Sequence, residues 1–213
     1  MDLDKDKNFT LGTEIYKDLK RLIITNEIMQ GTLLSEVEIS ERYGVSRTPV
    51  REVFRLLESE GLAAVIPRKG VQVTQISRDN LTDAYEARLW IECLMVAKAA
   101  TKITEDVLIK LDQILEKMPE NPNNHEETLE FSKYNIKFHD LIVHSAANEY
   151  AEIFLKQIRI ITQRAAYFVQ PLRYQQSWAE HKELLIALKN HDPGKSEELI
   201  RHHIEKARDR ILG

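Results

Sequence analysis

Along the first third of the chain the apolar positions change their period more than once. Leu11, Ile15, Leu19, Leu22, Ile23 and Ile28 recur at helical spacing, which predicts a helix over 11–29 stopped by Gly31. Ser35, with Glu38 three residues on, predicts a capping box for a short helix in EVEISERY, and Gly44 breaks it. Ser46 opens a third helix, with Pro49 in its first turn and Gly61 at its end. On it Val50, Val53, Phe54 and Leu57 fall at i, i+3, i+4 and i+7, an apolar back. Val65, Val71 and Val73 are then strand-like, and Pro67-Arg68-Lys69-Gly70 between them predicts a hairpin tip.

Beyond residue 77 the pattern is helical throughout. Six helices are predicted, at about 79–101, 104–118, 125–146, 149–168, 171–190 and 194–212. The breaks fall at Thr101-Lys102, from Pro119 to Asn124, near Asn148, at Pro171 and at Asp192-Pro193-Gly194. The expected fold is mainly α and has two domains. Residues 1–77 form a winged helix-turn-helix with a small β-hairpin wing, and residues 78–213 an all-α helical bundle able to enclose a pocket.

Composition narrows what such a protein does. The 213 residues carry 30 Lys or Arg against 34 Asp or Glu, a net charge of -4, and residues 1–77 are themselves close to neutral. Neither part is a polycation, so any nucleic-acid binding depends on where single charges sit. A single cysteine, Cys93, excludes an internal disulfide and a multi-thiolate metal site, and is expected as a small buried hydrophobe. No apolar run approaches the ~18 residues of a membrane span. The polar start MDLDKDKNF is no signal peptide. A cytoplasmic protein without a membrane partner is expected. There is no phosphate-cradling Gly-rich loop and no Gly-x-Ser-x-Gly elbow, so nothing points to nucleophilic hydrolysis.

Charge placement is more telling. Arg47, Arg51 and Arg55 stand at i, i+4 and i+8, one stripe opposite the apolar back of the third helix. A helix so built suits a major groove, where arginine takes guanine bidentately or holds phosphate. Ser46 and Thr48 lie at its N-terminus, where hydroxyls and free backbone N–H groups meet phosphate. Arg68 and Lys69 at the hairpin tip reach the backbone or the minor groove.

The segment LLSEVEISERYGVSRTPVREVFRLLESEGLAAVIPRKGVQV resembles the DNA-binding domain of GntR-family bacterial transcription regulators, most strongly in GVSRTPVRE. The remainder resembles the FCD effector domain of the FadR subfamily, through NLTDAYEARLWIE, NIKFHDLIVHSAANE, EHKELLIAL and LIRHHI. The resemblance implies DNA contacts by Arg47, Thr48 and Arg51, with Arg42, Arg68, Lys69 and Gly70 at further contact positions. Where the family often has arginine in the preceding helix this chain has Val37, which implies a missing contact and a different operator preference.

Seven histidines are present. Asn135 and His139 lie four apart on one helical face, while His181 and His203 fall on the last two helices. A bundle that gathers them suits zinc, nickel or manganese. Free imidazoles titrate near 6.5, so coordination is expected to weaken as pH falls through that value. The resemblance sharpens this, because many FCD domains hold a divalent metal by an aspartate, a histidine four residues later and two histidines on the last helices. His139, His181 and His203 match those histidines, and Asn135 stands at the aspartate position with one charge fewer. His202 and His144 point off the ligand face, and His125 and His191 are expected to be solvated. Arg88 allows two readings. It makes a surface ion pair with Glu92 or Glu86, or it faces the bundle and meets an effector carboxylate; family members commonly answer to small organic acids.

The combined reading is a ligand-responsive transcription regulator, a repressor. Its partners are double-stranded DNA with a palindromic operator, a small-molecule carboxylate and a second copy in a homodimer; its cofactor is a divalent metal ion. A metal-free sensor is one alternative. A metal-dependent enzyme using Glu92 or Glu180 as acid or base is another, without a spacing motif to support it.

Overall fold

A computed structural model describes residues 3–167 and 174–213, with side chains from Leu11 onward. The predicted helix limits at 168 and 171, and the break at Pro171, lie outside the described residues. The order is α1 (Leu3–Ile24), β1 (Leu33–Leu34), α2 (Glu36–Tyr43), α3 (Arg47–Ser59), β2 (Ala63–Ile66), β3 (Gly70–Val73), α4 (Arg78–Ala100), α5 (Glu105–Lys117), α6 (His125–Ser145), α7 (Glu149–Ala166), α8 (Tyr174–Lys189) and α9 (Pro193–Leu212). The described chain divides into two compact units, residues 3–81 with 160–167, and residues 82–159 with 174–213. The closing turns of α7 thus belong to the first unit.

In the first unit α1 packs on α3. Ile15, Leu19, Leu22 and Ile23 meet Val50, Val53, Phe54 and Leu57, joined by Val71 and Val73 from the sheet. Each fully buried side chain of this kind contributes roughly 1.5–3 kcal/mol. α1 differs from the predicted 11–29 at both ends. It begins at Leu3, and it stops at Ile24 because Asn26 takes a positive φ of 60° and Ile28 N donates back to Leu22 O at 2.9 Å. Ser35 caps α2 through Val37 N, at 3.2 Å, rather than through the Glu38 N of the predicted capping box. The hairpin pairs Ala63 with Val73 and Ile66 with Gly70. A third strand joins it: β1 pairs with β3, giving the order β1-β3-β2. Two residues are too few to show alternation, so β1 left no periodic signal.

Gly70 has a φ of +123°, and a Cβ there would stand 2.1 Å from the carbonyl oxygen of Leu34. The wing therefore closes on β1 only because position 70 has no side chain.

In the second unit α8 and α9 form an antiparallel pair, and α5 packs against both α6 and α8. Asn124 accepts from Glu127 N and Asp192 from Lys195 N, each capping the helix that follows, with Pro193 at the first position of α9. Phe138, Leu111, Ile142, Leu188, Ile200 and Ile204 are fully buried. Among the described residues no helix is long and apolar enough to cross a membrane.

Candidate functional sites

The first unit carries an open groove of about 430 Å³. Arg47, Arg51 and Arg55 enter it from α3, and Arg68, Lys69 and Gly70 from the hairpin tip, so stripe and wing face one space. Arg68 takes a positive φ of 65°, which turns the tip. Arg42, Ser46 and Thr48 are exposed but do not line this groove. Arg42 lies over the Tyr43 ring, 5.4 Å from its centroid. Ser46 is the N-cap of α3 yet its side chain makes no capping bond, so the first turn keeps its backbone donors open.

Two further residues shape this groove, and only the second was not anticipated. Val37 lines it, an apolar spot among cations, at the position where the resemblance expects arginine. Glu36 lines it as well, and Arg51 Nε donates to Glu36 Oε2 at 2.8 Å. Arg55 donates to Glu52 at 3.0 Å. Both pairs are largely exposed and worth under about 1 kcal/mol each, so they give way readily to a phosphate or a base edge.

The second unit holds a buried cluster. Ligand atoms of His139 from α6, His181 from α8 and His203 from α9 all lie within 4.8 Å of one another. His139 Nε2 and His181 Nε2 are 3.1 Å apart. The other nitrogen of His139, Nδ1, lies 3.2 Å from Glu92 Oε1, and His203 Nδ1 lies 2.7 Å from Glu180 Oε2. His203 Nδ1 bonds its carboxylate, whereas His139 Nδ1 stands beside Glu92 and, like His181 Nδ1, is buried without a hydrogen-bond partner. A proton on the Nδ1 of each ring would leave its Nε2 lone pair free to coordinate. Burial pushes His139 down to about 4, against the opposing pull of Glu92. Burial likewise holds His181 well below the usual imidazole range, aided by its histidine neighbours. Both rings are thus neutral, the form that coordinates a metal.

The donor set fits a divalent ion. Two nitrogens each about 2.1 Å from one ion stand roughly 3–3.4 Å apart, close to the separation of the two Nε2 atoms. Asn135 is half-buried one turn before His139 on α6. His125, His144 and His202 are exposed, and His144 pairs with Glu152. His191 is exposed as expected, and its Nδ1 also reaches Ala100 O at 2.9 Å, tying the α8–α9 turn to the end of α4.

Arg88 combines the two readings. Its ion pair with Glu92 exists, but buried rather than at the surface: the two side chains are 11% and 0% exposed. Glu92 also takes Arg159 Nη2 at 2.7 Å, and Arg159 Nη1 reaches Asp140 at 2.5 Å. Burial alone would raise the Glu92 carboxyl, but Arg159 and Arg88 overcome it and hold the group well below the usual range. Arg159 and the structural use of Glu92 and Glu180 were missed in the sequence. Glu92 and Glu180 lie at i+4 from Arg88 and next to His181, spacings that carried too little information alone.

A third feature is apolar. Trp90 and Leu94 on α4, and Tyr150, Ile153 and Phe154 on α7, are exposed. Each set lies along one face of its helix.

Comparison with known proteins agrees with these two units. Residues 11–73 match the model for bacterial regulatory proteins, gntR family, and residues 83–206 match that for the FCD domain. The HTH-type transcriptional regulator YdhC of Bacillus subtilis (strain 168) is 26% identical over 205 residues, 95% of this chain and 90% of that protein. The HTH-type transcriptional repressor RspR of Escherichia coli (strain K12) is 28% identical over 203 residues, 94% of this chain and 89% of that protein. The solved structure of E. coli McbR/YncC shares the fold, with a TM-score of 0.78 at 21% identity over 92% of this chain and 94% of that one.

Proposed function

The chain belongs to the gntR family of bacterial regulatory proteins and carries an FCD domain, and from that premise we propose how its parts divide the work of a transcription regulator that is not an enzyme. Residues 1–77 bind a palindromic operator in the cytoplasm. α3 lies in the major groove with Arg47, Thr48 and Arg51 at base edges and phosphates. Ser46 and Arg42 hold the backbone, and the wing follows through Arg68, Lys69 and the turn at Gly70. Residues 78–213 dimerise and sense a small carboxylate, which releases the repressor from DNA.

Two-fold symmetry doubles contacts on a palindrome, and the exposed Trp90, Leu94, Tyr150, Ile153 and Phe154 give a second copy something to cover. The effector carboxylate reaches Arg88 by sharing it with Glu92.

The observation that carries the metal reading is that three imidazoles from three helices bring their ligand atoms within 4.8 Å of one another, with Glu180 bonded to His203 Nδ1 and Glu92 3.2 Å from His139 Nδ1. Carboxylate-oriented histidines are the usual outer support of a coordinated ion. A divalent ion on His139, His181, His203 and the Asn135 carbonyl supplies an electrophilic point for the effector carboxylate. A second reading, a metal-free sensor, is favoured by the same 3.1 Å pair if one Nε2–H donates to the other.

Metal retention after identical dialysis separates the two. Asn135→Asp adds a carboxylate beside the ion and should hold metal longest, and His181→Ala should lose it fastest. Equal retention in both variants and the parent favours the metal-free sensor. In parallel, a small organic acid should release operator DNA from the metal-loaded protein.

A further inference from the structure

On the outside of the second unit, α5, α6 and α7 form a shallow cleft of about 590 Å³, separate from the histidine cluster. Each helix gives it one face: Lys110, Ile114 and Lys117 from α5, Tyr134, Lys137 and Leu141 from α6, and Lys156 from α7. Four lysines face one aspartate and one glutamate there. Both acids are already engaged. Asp140 is held by buried Arg159, and Glu152 by Lys156 and His144. Neither Lys110 nor Lys117 forms an ion pair among the described residues, and Lys137 lies over the Tyr134 ring, 5.4 Å from its centroid. The cleft thus has surplus positive charge at its rim and an aromatic ring with two aliphatic side chains on its floor.

From this arrangement we propose that the cleft binds a small organic phosphate, a molecule with at least two negative charges and an apolar or aromatic body. Lysines suit this ligand: each is a mobile point charge with three N–H donors that can be shared among the scattered oxygens of phosphates. The volume lies in the range of small-molecule sites. The cleft also stays accessible in the proposed dimer. On α7, Glu152 and Lys156 lie about a third of a turn away from Tyr150, Ile153 and Phe154, at 100° per residue. The site borders the interior through Asp140, whose partner Arg159 also holds Glu92, the carboxylate beside His139. A phosphate on Lys137 and Lys156 therefore comes to rest next to the ion-pair network of the sensor.

The test is calorimetric titration of the full chain with adenosine 5′-diphosphate, pyrophosphate and adenosine after dialysis against a chelator. Diphosphate nucleotide should bind once per chain, pyrophosphate more weakly, and adenosine not measurably. The double variant Lys110→Glu/Lys137→Glu, both side chains exposed, should weaken nucleotide binding at least tenfold while its melting temperature and operator binding stay as in the parent. Undiminished binding in the double variant overturns the proposal, as does no binding at millimolar nucleotide. Pyrophosphate binding as tightly as the nucleotide removes the organic body from the ligand. Displacement of the nucleotide by a short non-operator duplex makes the cleft a DNA surface. Metal retention enters none of these outcomes, so the proposal and the metal reading fail independently.

Discussion

The arginines of α3 and those around Glu92 have the same chemistry and opposite circumstances. Arg51 and Arg55 stand in water, each on a carboxylate that it can leave at little cost. Arg88 and Arg159 are enclosed, and their carboxylate Glu92 has no exposure at all. The first arrangement holds cations ready for an incoming partner. The second fixes a geometry, because moving any member strands a buried charge. Reading DNA needs the former and aiming an imidazole needs the latter.

Substitutions at the two places should therefore fail differently. The largest effect is expected at Glu92. Glu92→Ala leaves two buried guanidinium groups without their shared counter-charge and should lower stability by about 3–5 kcal/mol. Chemical denaturation measures this, and a loss below 1 kcal/mol would mean that the network is not a structural unit.

Acid comes next. In the metal-free protein His139 titrates at about 4, against roughly 6.5 in an unfolded chain. The unfolded state takes the proton first, so stability is complete above pH 6.5 and is lost as pH falls toward 4, by on the order of 3 kcal/mol from this group. For the same reason metal coordination, expected from the sequence to weaken as pH falls through about 6.5, should persist to lower pH. Comparing the pH dependence of melting in the parent and in His139→Gln isolates the contribution, and parallel curves would remove it.

Arg51→Ala tests the exposed side of the comparison. Operator affinity should drop by about 1–3 kcal/mol at fixed salt, with no change in melting temperature. The smallest effect is at Glu36. Glu36→Gln releases Arg51 and removes a negative charge from the groove, so operator binding should strengthen by up to ~1 kcal/mol. Weaker binding would show that Glu36 positions Arg51 rather than occupies it.

What the sequence disclosed follows the same division. The arginine stripe was legible because one helix carries it at one period, and Val50, Val53, Phe54 and Leu57 marked the buried side. Each histidine was legible as a residue type suited to metal. The network behind them was not. Glu92, Arg159 and Asp140 come from three helices, and their meeting depends on how those helices pack, which no local period encodes. α4 buries one broad face, Tyr85, Glu92, Cys93 and Val96 among it, but the charged Arg88 and Glu92 interrupt that face, so it shows no clean apolar stripe from which to read an inward Arg88. β1 was lost for brevity and the start of α1 because its first turns carry few apolar residues.

Gly70 separates two kinds of mutational tolerance within four residues. A saturation library across the hairpin tip would find Lys69 replaceable by almost anything in a screen for abundance, and Arg68, at a positive φ of 65°, by most residues other than proline and the β-branched ones; a screen for repression would restrict both further. Position 70 would accept glycine alone in both screens, since every other residue places an atom on the Leu34 carbonyl. The height of a letter in a sequence logo would not tell the two cases apart. Only the pair of screens would show that two letters are kept by selection for a partner and the third by steric necessity.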